Sequence, residues 1–377
     1  MKILLQQFLA QNHSWSVVGQ NIARSLIKQN HDVHLFSTNG IRYFPDDLQS
    51  NLIGYFDETT RATYGKVPDD NYDMQISYTA FKNFPLYLSH GTTNRFGLWT
   101  YEFSGKNALP DGFAKHYKFT DKILPPSHFA KQVFMDSGVP ESHLIVIPHG
   151  VDFEQINDAV TYKLKTQKST TILVVIAQVH RRKNLAGMLE MYGKAFTNKD
   201  DVCLVLKVQD RDPDHKQAFE LSFKDLFNQF KDTFKNHAEV EIVREFIPNI
   251  YSLYKACDIV FSASHCEGFG MTALEANALG KINVTSRYSG FLDFLNDDNA
   301  LLIEGKEFTV PPNFLYWTHK FGTKAFMPDI DSGVQQLRTA VTHKEQLLEK
   351  YKSNIIMAKD KYNWDVITKQ IMELTNA

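Results

Sequence analysis

The sequence predicts an α/β fold with two doubly wound, Rossmann-like domains facing across a cleft. Three observations lead there. Near-continuous apolar runs of strand length alternate with stretches of helical period, the pattern of parallel strands buried on both faces beneath crossover helices. That alternation lapses once, over the largely polar residues 152–170, and then restarts. The chain has 377 residues, room for two or three domains at roughly 150 residues each, and the single lapse favours two. The expected division is 1–160, 161–350, and a C-terminal helix within 351–377 that packs back toward the first domain.

The first domain opens with a strand over 2–8, a helix marked by Val18, Ile22, Leu26 and Ile27, and a strand over 32–37. Residues 40–72 are rich in Asp, Asn and Thr and read as irregular. Short apolar runs recur at 74–78, 85–89, 122–124 and 144–147. Ser127 supplies N-cap chemistry and Gly138 C′ chemistry, so a helix lies between them. After the lapse come a strand over 171–176, a helix over 184–196, and a strand over 202–206. A long helix over 215–234, a strand over 240–243, a helix over 250–256, a strand over 258–261 and a helix over 270–279 follow. In open sheets of this kind ligands bind outside the carboxyl ends of the strands, so the chemistry belongs in those loops.

Composition removes several classes of function. With 41 Lys+Arg against 43 Asp+Glu, and 15 and 16 of these in residues 1–165, neither half binds polyanions by bulk charge. Three cysteines, Cys203, Cys257 and Cys266, are too few for a disulfide framework, which suits a reducing compartment. The opening eight residues turn polar too soon for a signal peptide, and no run approaches the ~18 apolar residues of a membrane span. The expected location is cytoplasmic, with peripheral contact with a membrane as the variant. The mixed run Lys115, His116, Tyr117, Lys118, Phe119 and Lys122 suits an anionic acceptor, a membrane surface or nucleic acid, or else a solvated helix face.

The most informative stretch is His265-Cys266-Glu267-Gly268-Phe269-Gly270-Met271-Thr272-Ala273-Leu274-Glu275, which follows a buried strand and opens a helix. Gly268 and Gly270 let backbone approach a ligand closely, and free N–H groups in the first helical turn make an anion site that fits a diphosphate. Glu267 precedes the helix and Glu275 lies on its second turn. They cannot share one face, and the pattern suits a grip on different parts of an elongated ligand. The plain alternative is a strand-to-helix turn with two solvated glutamates.

The spacing from Glu267 to Glu275, followed by Ala276-Asn277-Ala278-Leu279-Gly280-Lys281, closely resembles the retaining glycosyltransferases of family 4, whose fold is GT-B. Other stretches resemble that family in the right order. They are Pro126-Ser127-His128-Phe129, Val146-Ile147-Pro148-His149-Gly150-Val151-Asp152, Arg182-Lys183-Asn184, and Ser289-Gly290 followed by Asp293. The likeness is good over about 120–305 and looser elsewhere.

The resemblance implies a sugar transferred from a nucleotide sugar, most readily a UDP- or GDP-sugar, to an acceptor hydroxyl with retained anomeric configuration. It places the donor on Gly268, Phe269, Gly270, Met271 and Thr272, with Glu275 at the ribose and Glu267 at the sugar. Lys183 and Arg182 would neutralise the leaving diphosphate, where preorganised cations are worth most. His90 resembles the family's histidine beside the reacting sugar. The family's paired glycines in the first loop are replaced by His13-Ser14-Trp15-Ser16, and its Gly-Arg pair by Ala177-Gln178, so Lys183 becomes the principal cation. Ser14, Trp15, Ser16, Trp99 and Glu102 are the acceptor-side candidates, the last two from a Trp-x-x-Glu stretch that resembles a sugar platform.

No cofactor and no metal are expected. The letters of Asp-x-Asp occur at Asp210-Arg211-Asp212, but in a loop of the second domain. The acceptor class stays open among a glycan, a lipid-linked glycan, a protein and a modified nucleic acid. Alternatives are a related GT-B enzyme, such as a phosphorylase or a nucleotide-sugar epimerase, and a noncatalytic sugar-binding protein.

Overall fold

Strand β1 (Lys2–Gln7) is buried from Ile3 onward, and helix α1 (Ser14–Lys28) lays Val18, Ile22, Ala23 and Leu26 into the interior at helical spacing. Strand β2 (Asp32–Ser37) then returns parallel to β1, which completes the expected βαβ opening. The computed structural model describes all residues except 10–13, 42–43, 58–59, 67, 69–70, 80–91, 177–178, 209–221, 312–313, 315–321 and 377.

The first sheet adds β3 (Leu52–Asp57), β4 (Ala62–Gly65), β5 (Met74–Tyr78), β6 (Arg95–Leu98) and β7 (Lys122–Leu124). Its order is β4-β3-β2-β1-β5-β6-β7, parallel except that β4 runs antiparallel to β3. Moving outward from β1 in both directions is doubly wound topology. Helix α2 (His128–Asp136) starts where expected, with the Ser127 hydroxyl accepting from the Ala130 N–H at 3.0 Å, and Gly138 follows it at φ +93°.

Two expectations need correction here. Residues 40–72 are not irregular: they contain β3, whose apolar residues are broken by Gly54, and β4, a four-residue and largely exposed edge strand, with Tyr55 stacked on Tyr64 across the pair. Residues 144–147 form no named strand but run beside β7, with a bridge from Leu144 to Ile123 and the Ile145 and Ile147 N–H groups donating to the Ile123 and Pro125 carbonyls at 3.1 and 3.0 Å. The run at 85–89 lies outside the described residues.

The second sheet is built by the same logic. Helix α3 (Phe153–Asp158) precedes β8 (Thr170–Ile176), α4 (Leu185–Ala195), β9 (Val202–Val208), α5 (Phe223–Thr233) and β10 (Glu239–Val243). Then come α6 (Tyr251–Lys255), β11 (Ile259–Ser262), α7 (Met271–Ala278), β12 (Ile282–Ser286) and β13 (Leu301–Ile303). The order β10-β9-β8-β11-β12-β13 is parallel throughout and reverses direction between β8 and β11. Successive residues of β8 serve opposite faces: Ile172, Val174 and Ile176 join one core cluster, and Leu173 joins the other.

An antiparallel pair, β14 (Gly305–Thr309) and β15 (Lys324–Pro328), follows, then α8 (Ile330–Thr342), α9 (Lys344–Tyr351), α10 (Ser353–Tyr362) and α11 (Trp364–Glu373). The chain separates into two compact units. One holds Met1–Tyr101, Leu109–Asp152 and Lys361–Ala377, the other Glu102–Ala108 and Phe153–Asp360. Within the first unit α11 is fastened to α1, where the Ser25 hydroxyl donates to Asp365 at 2.7 Å and Gln29 donates to the Thr368 hydroxyl at 2.6 Å. No described helix is long and apolar enough to cross a membrane.

Candidate active site

The second unit brings together side chains from the loops after β8 and β11, the adjacent strands where the sheet order reverses. That is where open α/β sheets hold ligands. After β8, residues Arg181–Lys183 form a single 3-10 turn, and Asn184 takes the left-handed conformation at φ 54°. The Asn184 side chain accepts from the Gly187 N–H at 3.2 Å and donates to the Ala263 carbonyl at 2.9 Å, so it caps α4 and ties the turn to the other loop. A backbone bond from the His265 N–H to the Arg182 carbonyl, 2.9 Å, completes the tie.

Glu267 is the centre of this arrangement. Its Oε2 accepts from Arg182 Nη1 at 2.8 Å and its Oε1 from Lys183 Nζ at 2.6 Å. Arg182 Nη1 also donates to the Cys266 carbonyl at 2.8 Å, and Arg182 Nη2 stands 3.6 Å from Glu102. Burial pushes the Glu267 carboxyl up, but the charges and hydrogen bonds of Arg182 and Lys183 together outweigh it and hold the group down at about 2. Burial lowers the Lys183 ammonium, aided by repulsion from Arg182 and opposed by Glu267. Two cations are therefore stored beside one carboxylate that grips both.

The turn after Glu267 is shaped by contacts that exclude larger residues. The Glu267 N–H donates to the Ser289 hydroxyl at 2.9 Å, and the Gly290 N–H to the Glu267 carbonyl at 3.0 Å. A Cβ on Gly290 would stand 2.5 Å from the Gly268 carbonyl, and one on Gly270, at φ +98°, would strike the Phe291 ring. Phe269 is a buried anchor against Phe294, so its contribution to a ligand is through backbone. Met271 and Thr272, half-buried, open α7, whose first turn presents N–H groups with no intrahelical acceptor.

Glu275 faces elsewhere, as its placement in the helix requires. Its Oε2 accepts from the Tyr254 hydroxyl at 2.7 Å, and burial raises its carboxyl to about 7 against that hydrogen bond. Both glutamates are only 9% exposed, so the reading of two solvated carboxylates fails. Tyr254 is a residue that sequence reasoning missed; it looks like any aromatic of a short amphipathic helix.

The first unit holds the remaining candidates. Trp15 stacks on Tyr78 at 5.4 Å and leans on Phe8, Ser14 is exposed, and Ser16 is fully buried. Trp99 must be corrected: it is 5% exposed, stacked on Phe134 at 5.9 Å with Phe113 tilted against it, and this is core packing rather than a platform. Glu102 is corrected too, because it belongs to the second unit, beside Arg182. The Pro-His-Gly-Val-Asp stretch is structural in part: Gly150 leaves room for the Trp364 ring, and the Val151 N–H donates to the Tyr362 carbonyl at 2.7 Å. Burial holds His149 down at about 3, hence neutral. His90, His13, Ala177, Gln178, Asp210, Arg211 and Asp212 lie outside the described residues.

Residues 158–309 match the family model of the glycosyl transferases group 1. They form a glycosyltransferase group 1 domain, and the chain is a glycosyltransferase. The matched span holds the whole Arg182, Lys183, Glu267 and Glu275 constellation. Among relatives, the chain is 23% identical to a Sulfolobus islandicus filamentous virus protein, named only provisionally as glycosyltransferase 45, over 98% of this chain and 93% of the relative. It is also 23% identical to the lipopolysaccharide 1,2-N-acetylglucosaminetransferase of Salmonella typhimurium, over 70% of this chain and 62% of that enzyme. Among solved structures, Anabaena HepE in complex with UDP superposes along the whole of both chains with a TM-score of 0.74 at 13% identity. The glycosyltransferase has the GT-B fold.

Proposed function

We propose that this glycosyltransferase is a retaining enzyme of family 4, which moves a sugar from a nucleotide sugar to an acceptor hydroxyl. The observation that carries the reading is the buried grip of Glu267 on Arg182 and Lys183, beside the open first turn of α7, at the reversal point of the second sheet. In the reaction, the bond from the anomeric carbon to the diphosphate oxygen breaks and one to the acceptor oxygen forms on the same face. The acceptor's proton passes to the departing phosphate. Negative charge grows on that phosphate, and Lys183, Arg182 and the N–H groups of Met271 and Thr272 would meet it once the two cations turn from Glu267 toward the diphosphate.

Glu275 would hold the ribose hydroxyls and Glu267 would stand at the transferred sugar. The acceptor would bind the first unit, near Trp15 and Ser14. HepE is named as a UDP complex, and the Salmonella relative as an N-acetylglucosaminetransferase, which supports a UDP-sugar ahead of a GDP-sugar and a glycan acceptor ahead of a protein or nucleic acid. Calorimetry with UDP, GDP, UDP-glucose, UDP-N-acetylglucosamine and GDP-mannose tests the donor. The anomeric configuration of the product, read by NMR, tests retention. A chain that binds none of these nucleotides would refute the reading.

A further inference from the structure

The segment Glu102–Ala108 leaves the run of the first unit, joins the second, and returns, and its first residue faces the site. We infer that Glu102 is a positioning residue for the transfer reaction: it holds the second nitrogen of the Arg182 guanidinium while Glu267 holds the first. This rests on the donor site proposed above.

Glu267 has two carboxylate oxygens, and one is taken by each cation. Arg182 is therefore fixed at Nη1 alone, by Glu267 and the Cys266 carbonyl, and its Nη2 is free to swing unless something faces it. Glu102 Oε1 faces it at 3.6 Å, an ion pair longer than a hydrogen bond. Arg182 and Glu102 are 14% and 25% exposed at their side chains, so solvent screens the pair only in part. When a diphosphate draws Lys183 and Arg182 toward itself, Glu267 must loosen, and Glu102 remains as the anchor that keeps the guanidinium plane aimed.

Glu102 is itself held from behind. Two residues on, Ser104 exchanges backbone hydrogen bonds with Lys324 of β15, at 3.1 and 2.9 Å. Gly105 permits this close approach, since a Cβ there would lie 2.8 Å from the Gly322 carbonyl. The Tyr288 hydroxyl donates to Glu307 at 3.0 Å, so its partner at 2.8 Å, the Ser104 hydroxyl, must be the donor of that pair. The Tyr288 ring stacks on Phe326 at 5.1 Å, and the Phe326 N–H donates to the His265 carbonyl, two residues before Glu267. Strand β15 thus ties the Glu102 segment and the Glu267 loop to one support.

The test is a double-mutant cycle of Glu102→Gln and Arg182→Gln in the whole chain. It is read as nucleoside diphosphate released from UDP-glucose or GDP-mannose when water takes the acceptor's place. There the water oxygen joins the anomeric carbon, the diphosphate leaves, and the water's proton goes to solvent. Arg182→Gln alone should lower kcat by about 10²- to 10³-fold. Glu102→Gln should lower it roughly 10- to 100-fold, a fraction of that loss, with UDP affinity by calorimetry unchanged or tighter because a negative charge has gone. In the Arg182→Gln background the effect of Glu102→Gln should vanish. Tyr288→Phe, which loosens Ser104, should show the same dependence at smaller size. Additive losses in kcat would overturn the assignment, and so would a Glu102→Gln variant whose Tm and UDP affinity fall along with its kcat. If the unmodified chain bound no nucleotide, the donor reading itself would fail, an outcome visible without any variant.

Discussion

Replacing Glu275 by Gln should remove a pH dependence from the stability of the second unit. In the folded chain burial raises this carboxyl to about 7, whereas unfolded it titrates near 4.5. Between those values the folded state keeps a proton that the unfolded state has released. The contribution is therefore complete below the unfolded value and is lost as pH climbs through the folded one. About 2.5 pH units separate the two, and at about 1.36 kcal/mol each the loss amounts to about 3 kcal/mol. For a unit of about 200 residues that corresponds to roughly 6–12 °C in Tm. Glutamine mimics the protonated acid, and its carbonyl still accepts from Tyr254, so the variant should stay stable where the parent weakens. Glu267 acts in the opposite sense and lower: held at about 2, its contribution is present above about 4.5 and is lost as pH falls toward 2. Burial of His149, whose folded value is about 3, affects both proteins alike and cancels in the difference. The assay is Tm by circular dichroism at pH 5, 6, 7 and 8 for both chains. A Tm difference that stays constant across that range would refute the argument.

Three further outcomes follow from the same site. Transfer should survive EDTA, because the first turn of α7 and Lys183 supply the charge that a metal would; loss of turnover restored by Mg²⁺ or Mn²⁺ would contradict this. Glu267→Gln should lower kcat by at least about 10²-fold while UDP binds no more weakly, since the variant frees two cations from their internal partner; a fall in UDP affinity would show that Glu267 shares the ribose-holding role proposed for Glu275. Gly270→Ala should cost several kcal/mol, about 1–3 from the left-handed backbone plus the overpacking against Phe291, and thermal denaturation within 2 °C of the parent would rule it out.

Much of this fold can be read from the sequence because its parallel strands are buried on both faces, and burial on both faces leaves unbroken apolar runs. Residues 171–176 and 259–261 are of that kind, and α2 and α4 announce themselves through Ser127 and Asn184 at their caps. The strands that escaped, β3, β4 and β6, lie away from the centre of the first sheet, are short or half-exposed, and carry Gly54, Gly65 and Gly97 where an apolar run would be. The site divides along a similar line. Arg182, Lys183, Glu267 and Glu275 stand in local motifs whose chemistry survives being read one segment at a time. What joins them does not: Tyr254 meets Glu275 across 21 positions, Ser289 meets Glu267 across 22, and Glu102 meets Arg182 across 80. Trp99 and Glu102 show the hazard most plainly, since three positions apart they suggested a single sugar platform, yet one is a core residue of the first unit and the other a counter-charge in the second. Proximity in sequence implies a shared surface only inside a regular element. By Trp99 the chain has left β6, and up to Glu102 it has entered no other element, so nothing local constrains which unit each side chain joins. Their separation is decided by pairing with β15, more than two hundred residues away, which is a tertiary fact with no local trace.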